Sequence, residues 1–366
     1  MIKIAEPKLV KVSQRYLWID YAKVIGIFLV VFGHTAIPRY LYDAIYGFHM
    51  PLFFFISGYL FSFKKFQSLS EFFYRRAKQL IVPYFCFNII TYIFWLFIGR
   101  HFGVDSTRHI PLYKPIIGIF YGNGIDDYLV HDITSWFLVC LFTVENLFFV
   151  FFRRANKYRG CILLMLFALT AYLDGKYDSI RWPWGLNIAF TAIVFYGLGN
   201  IFKEEINALL QYKLVYLIIG SLLILPLCSY VISINAGVDL NVIKYNNYLY
   251  FFVGAGFAIC IMIVISRILE YYWGRVNLIE YISRNTIVIL IFQFIAMSVV
   301  KGFAFFILKL PANFFDNKVF INLLFSVIVI LMLMPLMFIL ESYFPFLIGK
   351  PSVASTRYKD GVFSKQ

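Results

Sequence analysis

The chain has 366 residues, of which 61% are hydrophobic and only 14% charged, and its mean hydropathy is +0.78. These proportions exclude an ordinary soluble domain, whose water-facing surface needs far more charge. The net charge of +14 and the 43 Phe and 27 Tyr suit a membrane bundle with basic inside loops and interfacial aromatic belts, and no nucleic-acid partner is needed to explain them.

A helix crossing about 30 Å of hydrocarbon needs roughly 20 apolar residues. Such stretches recur over 17–37, 45–63, 79–99, 134–152, 160–174, 187–202, 214–234, 249–269, 285–308 and 320–345. The expectation is an all-α integral membrane protein, a bundle of about ten transmembrane helices, with 1–350 as one transmembrane domain and 351–366 as a short cytoplasmic tail. With the N-terminus inside, the inside segments hold 22 Lys and Arg against 10 outside. The positive-inside rule then puts both termini of a multi-pass plasma (inner) membrane protein in the cytoplasm. Lys3, Lys8, Lys11 and Arg15 precede the first apolar run, but that run contains Lys23 and His34 and lacks a small-residue cleavage site. It reads as a retained helix rather than a signal peptide. Cys86, Cys140, Cys161, Cys228 and Cys260 all fall in apolar stretches without zinc-binding spacings and read as buried thiols. The longest outside loop, 100–133, contains His101, His109, Asp126, Asp127, His131 and Asp132. It reads as a solvated interfacial cap, with a sugar or metal site as the alternative; its spacing matches no zinc motif.

An ionisable side chain within a membrane helix costs on the order of 3 kcal/mol on insertion scales, so it tends to face the bundle interior. The first span carries Asp20, Lys23 and His34. Lys23 and His34 are separated by close to three helical turns, which places them on one face about 16 Å apart, and Asp20 is near enough to Lys23 to pair with it. The alternative is an Asp20–Lys23 ion pair that snorkels to the cytoplasmic interface, with His34 at the opposite one. An imidazole that exchanges protons near neutral pH favours a functional polar face. In the second span, Pro51 suits a helix start, Ser57-Gly58 offers a small packing surface, and His49 falls on the same side of the membrane as His34.

The first helix followed by Phe48-His49-Met50-Pro51-Leu52-Phe53-Phe54-Phe55-Ile56-Ser57-Gly58-Tyr59 resembles the opening of the acyltransferase 3 family of polytopic membrane enzymes, especially its fucose 4-O-acetylase-like subgroup. Later segments agree in order. Arg75-Arg76-Ala77-Lys78-Gln79-Leu80-Ile81-Val82-Pro83-Tyr84 resembles the basic entry to the family's third helix, and Trp136-Phe137-Leu138 its Trp-Phe-Leu signature. Phe195-Tyr196-Gly197-Leu198-Gly199 and Tyr281-Ile282-Ser283-Arg284-Asn285-Thr286 are similar to its mid-chain and penultimate helices. Two positions depart: Lys23 stands where the wider family has arginine, and Gln293 where it often has histidine.

The resemblance implies cytoplasmic acetyl-CoA as acyl donor, with no metal, and O-acetylation of a carbohydrate acceptor, cell-surface or lipid-linked, at or across the membrane. Such chemistry needs a base for the acceptor hydroxyl and donors for the developing oxyanion. The candidates are His34 as base with His49 second, and Lys23 and Asp20 orienting the helix face or the donor. Lys64, Lys65, Arg75, Arg76 and Lys78 would receive the coenzyme's phosphates, although positive-inside retention also explains that cluster. Trp136 and the intramembrane acid Glu145 would serve the acceptor. A transporter or flippase of polysaccharide or lipid-linked sugar is the main rival, against which the chain lacks clear inverted repeats; a polyprenyl-dependent glycosyltransferase is the second.

Overall fold

The computed structural model describes residues 15–177, 180–311 and 313–350; the tail 351–366 and the lysines at 3, 8 and 11 lie outside the described residues. The first apolar run forms α1 (Leu17–Gly33), and Pro38 then opens a short α2 (Arg39–Tyr46) that returns the chain into α3 (His49–Leu60). Pro51 sits in the first turn of α3, where a missing N–H costs nothing. Next comes α4 (Leu69–Arg76), started by a reciprocal cap in which the Glu71 N–H donates to the Ser68 hydroxyl and the Glu71 carboxylate accepts from the Gln67 N–H. A π turn at Ala77–Ile81 joins it to α5 (Val82–Phe97). The long loop contributes α6 (Tyr113–Tyr121) before α7 (Trp136–Phe152), α8 (Lys157–Tyr177) and α9 (Leu186–Ile201). The chain ends with α10 (Lys203–Leu209), α11 (Leu214–Ile234), α12 (Tyr248–Trp273), α13 (Asn277–Arg284), α14 (Thr286–Gly302), α15 (Val319–Met332) and α16 (Met334–Tyr343).

Among the described residues, eight helical stretches are long and apolar enough to cross a membrane. The first two predicted spans are not among them, because α1 stops at His34 after 17 residues and α3 has only 12, a rise of about 18 Å. Both are largely buried and belong to the bundle interior with α7 and α9, whereas α8 and α11 turn most of their surface outward. The aromatic residues also do more than line interfaces. Phe72 stacks on Phe149 with ring centroids 4.4 Å apart, within a buried group that includes Phe61, Phe148 and Tyr196. All five cysteines are free, but only Cys140 and Cys228 are buried; Cys260 lies on the outward face of α12, where hydrocarbon solvates a thiol as well as a protein core does.

α3 and α9 pack with their backbones in close approach. A Cβ on Gly58 would overlap the Tyr196 carbonyl oxygen, and one on Gly199 the Phe55 carbonyl oxygen. Small residues at such a crossing let backbones approach, which is a main source of helix association in lipid. The Asn200 amide then donates to the carbonyls of Gly58 (2.9 Å), which also accepts from the Phe61 N–H, and of Phe61 (3.0 Å), just past the end of α3. Gly58→Ala is therefore expected to force the pair apart and cost about 1–3 kcal/mol, the usual range for overpacking. A thermal unfolding midpoint in detergent equal to wild type would refute this packing role.

Candidate active site

A cavity of about 350 Å³ opens between the C-terminal end of α1 and the start of α3. His34, His49, Tyr42, Tyr46, Trp136 and Asp239 line it. α2 assembles these groups: its residues four apart, Tyr42 and Tyr46, stack with ring centroids 3.8 Å apart. Tyr46 then stands between the two histidines. Its hydroxyl is 3.3 Å from His34 Nδ1, and its ring meets the His49 ring edge to face at 4.9 Å. Phe294 closes the other side of the His34 ring at 5.0 Å.

His49 Nδ1 lies 2.7 Å from the Ile45 carbonyl oxygen. A carbonyl only accepts, so Nδ1 carries the proton and the neutral ring keeps its lone pair on Nε2. The ring is buried, and its orientation is fixed by the helix turn that precedes it. Asp239 reaches the cavity from the loop between α11 and α12; burial pushes its carboxyl above the usual range, opposed by the backbone N–H of Asn241.

Lys23 and Asp20 do not share this cavity. Asp20 accepts from Arg15 Nε (2.6 Å) and Nη2 (3.0 Å) and from the Ser283 hydroxyl (2.6 Å). Lys23 Nζ donates to the Ser283 carbonyl at 2.5 Å. The expected Asp20–Lys23 pair is thus replaced by an Arg15–Asp20 pair, because Arg15 matches a carboxylate with two parallel N–H groups while Lys23 neutralises the negative end of α13. Glu280 extends the network, 3.4 Å from Arg15 and 2.6 Å from Arg275. The first helix is clamped to α13 at one end and carries His34 at the other.

The basic group divides as well. Lys64, Lys65, Arg75 and Lys78 are exposed; Arg75 pairs with Glu71 at 2.6 Å and Lys78 lies 4.4 Å above the Tyr74 ring. Arg76 turns inward and forms a two-armed ion pair with Glu145, with Gln79 Oε1 at 2.5 Å. Glu145 therefore does not join Trp136, which stands nine residues earlier at the cavity. Arg76 immediately precedes the π turn, a distortion frequent at functional sites. In the long loop, His131 is buried and donates from Nε2 to Asn88 Oδ1 (3.0 Å). Among the described residues no three His, Cys, Asp or Glu side chains converge as metal ligands.

A family model described as an acyltransferase domain matches residues 16–342. The chain belongs to this acyltransferase family. No curated protein and no solved structure matches it. As a member of the acyltransferase family the protein is a multi-pass membrane O-acyltransferase, and the match takes in every helix from α1 to α15. Within this acyltransferase, sequence reasoning missed Tyr42, Tyr46 and Asp239. The tyrosines carried a usable signal, since they lie four apart and Tyr46 is three residues before His49. Asp239 sits in a loop whose approach to the cavity depends on tertiary contacts: the Gly237 N–H donates to Asp43 on α2 at 2.8 Å.

Proposed function

We propose that this acyltransferase moves acetyl from cytoplasmic acetyl-CoA to a hydroxyl of a cell-surface or lipid-linked carbohydrate acceptor at the outer side of the plasma membrane. The observation that carries the reading is the His34–Tyr46–His49 cavity, in which His49 offers a fixed Nε2 lone pair. The acceptor hydroxyl gives its proton to Nε2 as its oxygen bonds to the acetyl carbon; the carbon–sulfur bond breaks, and the coenzyme thiolate takes up the proton. His34 and Tyr46 supply N–H and O–H groups for the oxyanion. Trp136 and Tyr42 give the cavity aromatic walls suited to the apolar face of a sugar ring. The exposed Lys64 and Lys65, near Arg75 and Lys78, are the groups available to the coenzyme's phosphates. The sequence reading put His34 first as base; the fixed tautomer of His49 favours exchanging the two roles.

Purified protein incubated with radiolabelled acetyl-CoA and cell-surface glycans is expected to label the glycan. Glycan translocation into vesicles without labelling would replace this reading by the transporter one. The sidedness follows from the 22 to 10 distribution of Lys and Arg. A Lys64→Cys variant in a cysteine-free background should react with an impermeant maleimide only after cells are permeabilised. Reaction in intact cells would reverse the topology.

A further inference from the structure

A second cleft, of about 400 Å³, opens beside the histidine cavity between the end of α8 and the start of α12. Tyr172, Lys176, Lys244, Asn246 and Tyr248 line it. The rings of Tyr172 and Tyr248 tilt together with centroids 6.0 Å apart, Lys176 Nζ stands 5.8 Å from the Tyr172 centroid, and a 3.1 Å contact with Thr191 holds the Tyr248 hydroxyl.

One short hairpin separates the two sites. Asp239 and Lys244 exchange backbone hydrogen bonds of 2.9 and 3.0 Å. The first arm turns Asp239 and Asn241 into the histidine cavity, and the second turns Lys244 and Asn246 into the cleft. Ile243, between them, has φ +56° and Asn246 φ +53°. For a β-branched residue the left-handed region is a genuine strain, which persists only where the surroundings hold it and which clusters at functional sites.

Charged groups of both signs crowd this hairpin. Of the 10 outside cations, Arg39, Lys176, Arg181 and Lys244 all adjoin it. A Cβ on Gly237 would lie 3.0 Å from Arg39 Nη2 and 3.5 Å from Lys244 Nζ, so these two cations flank one residue. Arg39 is paired with Asp43 at 3.0 Å, Asp126 and Asp174 stand near Arg181, and Asp239, which faces the histidine cavity, lies near both Arg181 and Lys244. Lys176 and Lys244 are exposed in the cleft. Aromatic faces beside two ammonium groups and an amide suit a sugar ring that bears an anion.

We infer that the Tyr172/Lys176/Lys244/Tyr248 cleft is a subsite for an acidic saccharide unit of the acceptor, carrying carboxylate or phosphate, whose neighbouring hydroxyl is acylated across the hairpin. The inference rests on the carbohydrate-acceptor reading, but its test needs no turnover. Binding of oligogalacturonate, of a phosphorylated mannan and of neutral dextran of matched length is measured on the purified full chain by intrinsic fluorescence. At least one anionic probe should bind, more weakly as salt rises, and the tighter of the two identifies the anion. Dextran should bind at least tenfold more weakly. Lys176→Ala/Lys244→Ala should lose about tenfold or more in affinity, as expected for charge-assisted contacts, and Lys176→Arg/Lys244→Arg should restore most of it. Equal binding of neutral and acidic probes, or binding indifferent to salt and to both double variants, overturns the subsite. The wild-type comparison decides even if the alanine variant fails to fold. Acidic-probe binding without acetyl transfer would leave the cleft standing and remove the proposed reaction.

Discussion

His49→Ala is expected to lower acetyl transfer by about 10²- to 10⁴-fold, the range for loss of a general base, while the protein still inserts and unfolds at its normal temperature. The size follows from the fixed role of Nδ1. Because Nδ1–H donates its hydrogen bond to the Ile45 carbonyl, Nε2 is the only basic atom the ring can offer, and no reorientation is needed during reaction. His34→Ala should lose less, because His34 and Tyr46 share the work of stabilising the oxyanion and Tyr46 remains. Initial rates with saturating radiolabelled acetyl-CoA check both. Undiminished transfer by well-expressed His49→Ala would remove this ring from the chemistry, and a deeper loss in His34→Ala would return the base to the first helix.

Arg76→Ala should destabilise the bundle by about 3–5 kcal/mol, the cost of leaving one partner of a buried ion pair alone. Glu145 is 1% exposed and has no water to turn to, whereas the Arg76 side chain is 24% exposed. Glu145→Ala is accordingly the milder change, since the long guanidinium arm can snorkel outward and keep Gln79 as acceptor. Arg76→Met/Glu145→Leu should recover most of the loss, as apolar replacement of a buried pair usually does. Thermal unfolding in detergent compares the four proteins; wild-type stability of Arg76→Ala would show that the pair contributes nothing to the fold.

What the sequence disclosed follows from the range of the interactions involved. Hydrophobic runs report lipid directly, so eight spans could be read from composition alone, and Gly58 was legible as a packing residue because small residues in apolar helices have few other uses. The second span was overextended at both ends, since residues 45 and 46 belong to α2 and its apolar pattern runs on past Leu60 to Phe61, which packs into the aromatic core. The His34–His49 neighbourhood could be anticipated from their shared side of the membrane. The partners of Asp20 and Glu145 could not. An i,i+3 lysine is the only cation that local spacing suggests for Asp20, whereas Arg15 and Ser283 win through a bidentate geometry and a helix end 263 residues away. Asp239 is likewise brought to the histidines by contacts that leave no local pattern.

The two ends of α1 are mechanically one piece. A straight helix transmits a rotation undiminished along its axis, so the ion and hydrogen-bond clamp of Arg15, Asp20 and Lys23 on α13 sets the angle at which His34 enters its cavity. A lysine with a single contact to the Ser283 carbonyl permits more swivel than a forked side chain would. The orientation of the histidine is thereby tied to contacts three turns away, at the opposite end of the same strut.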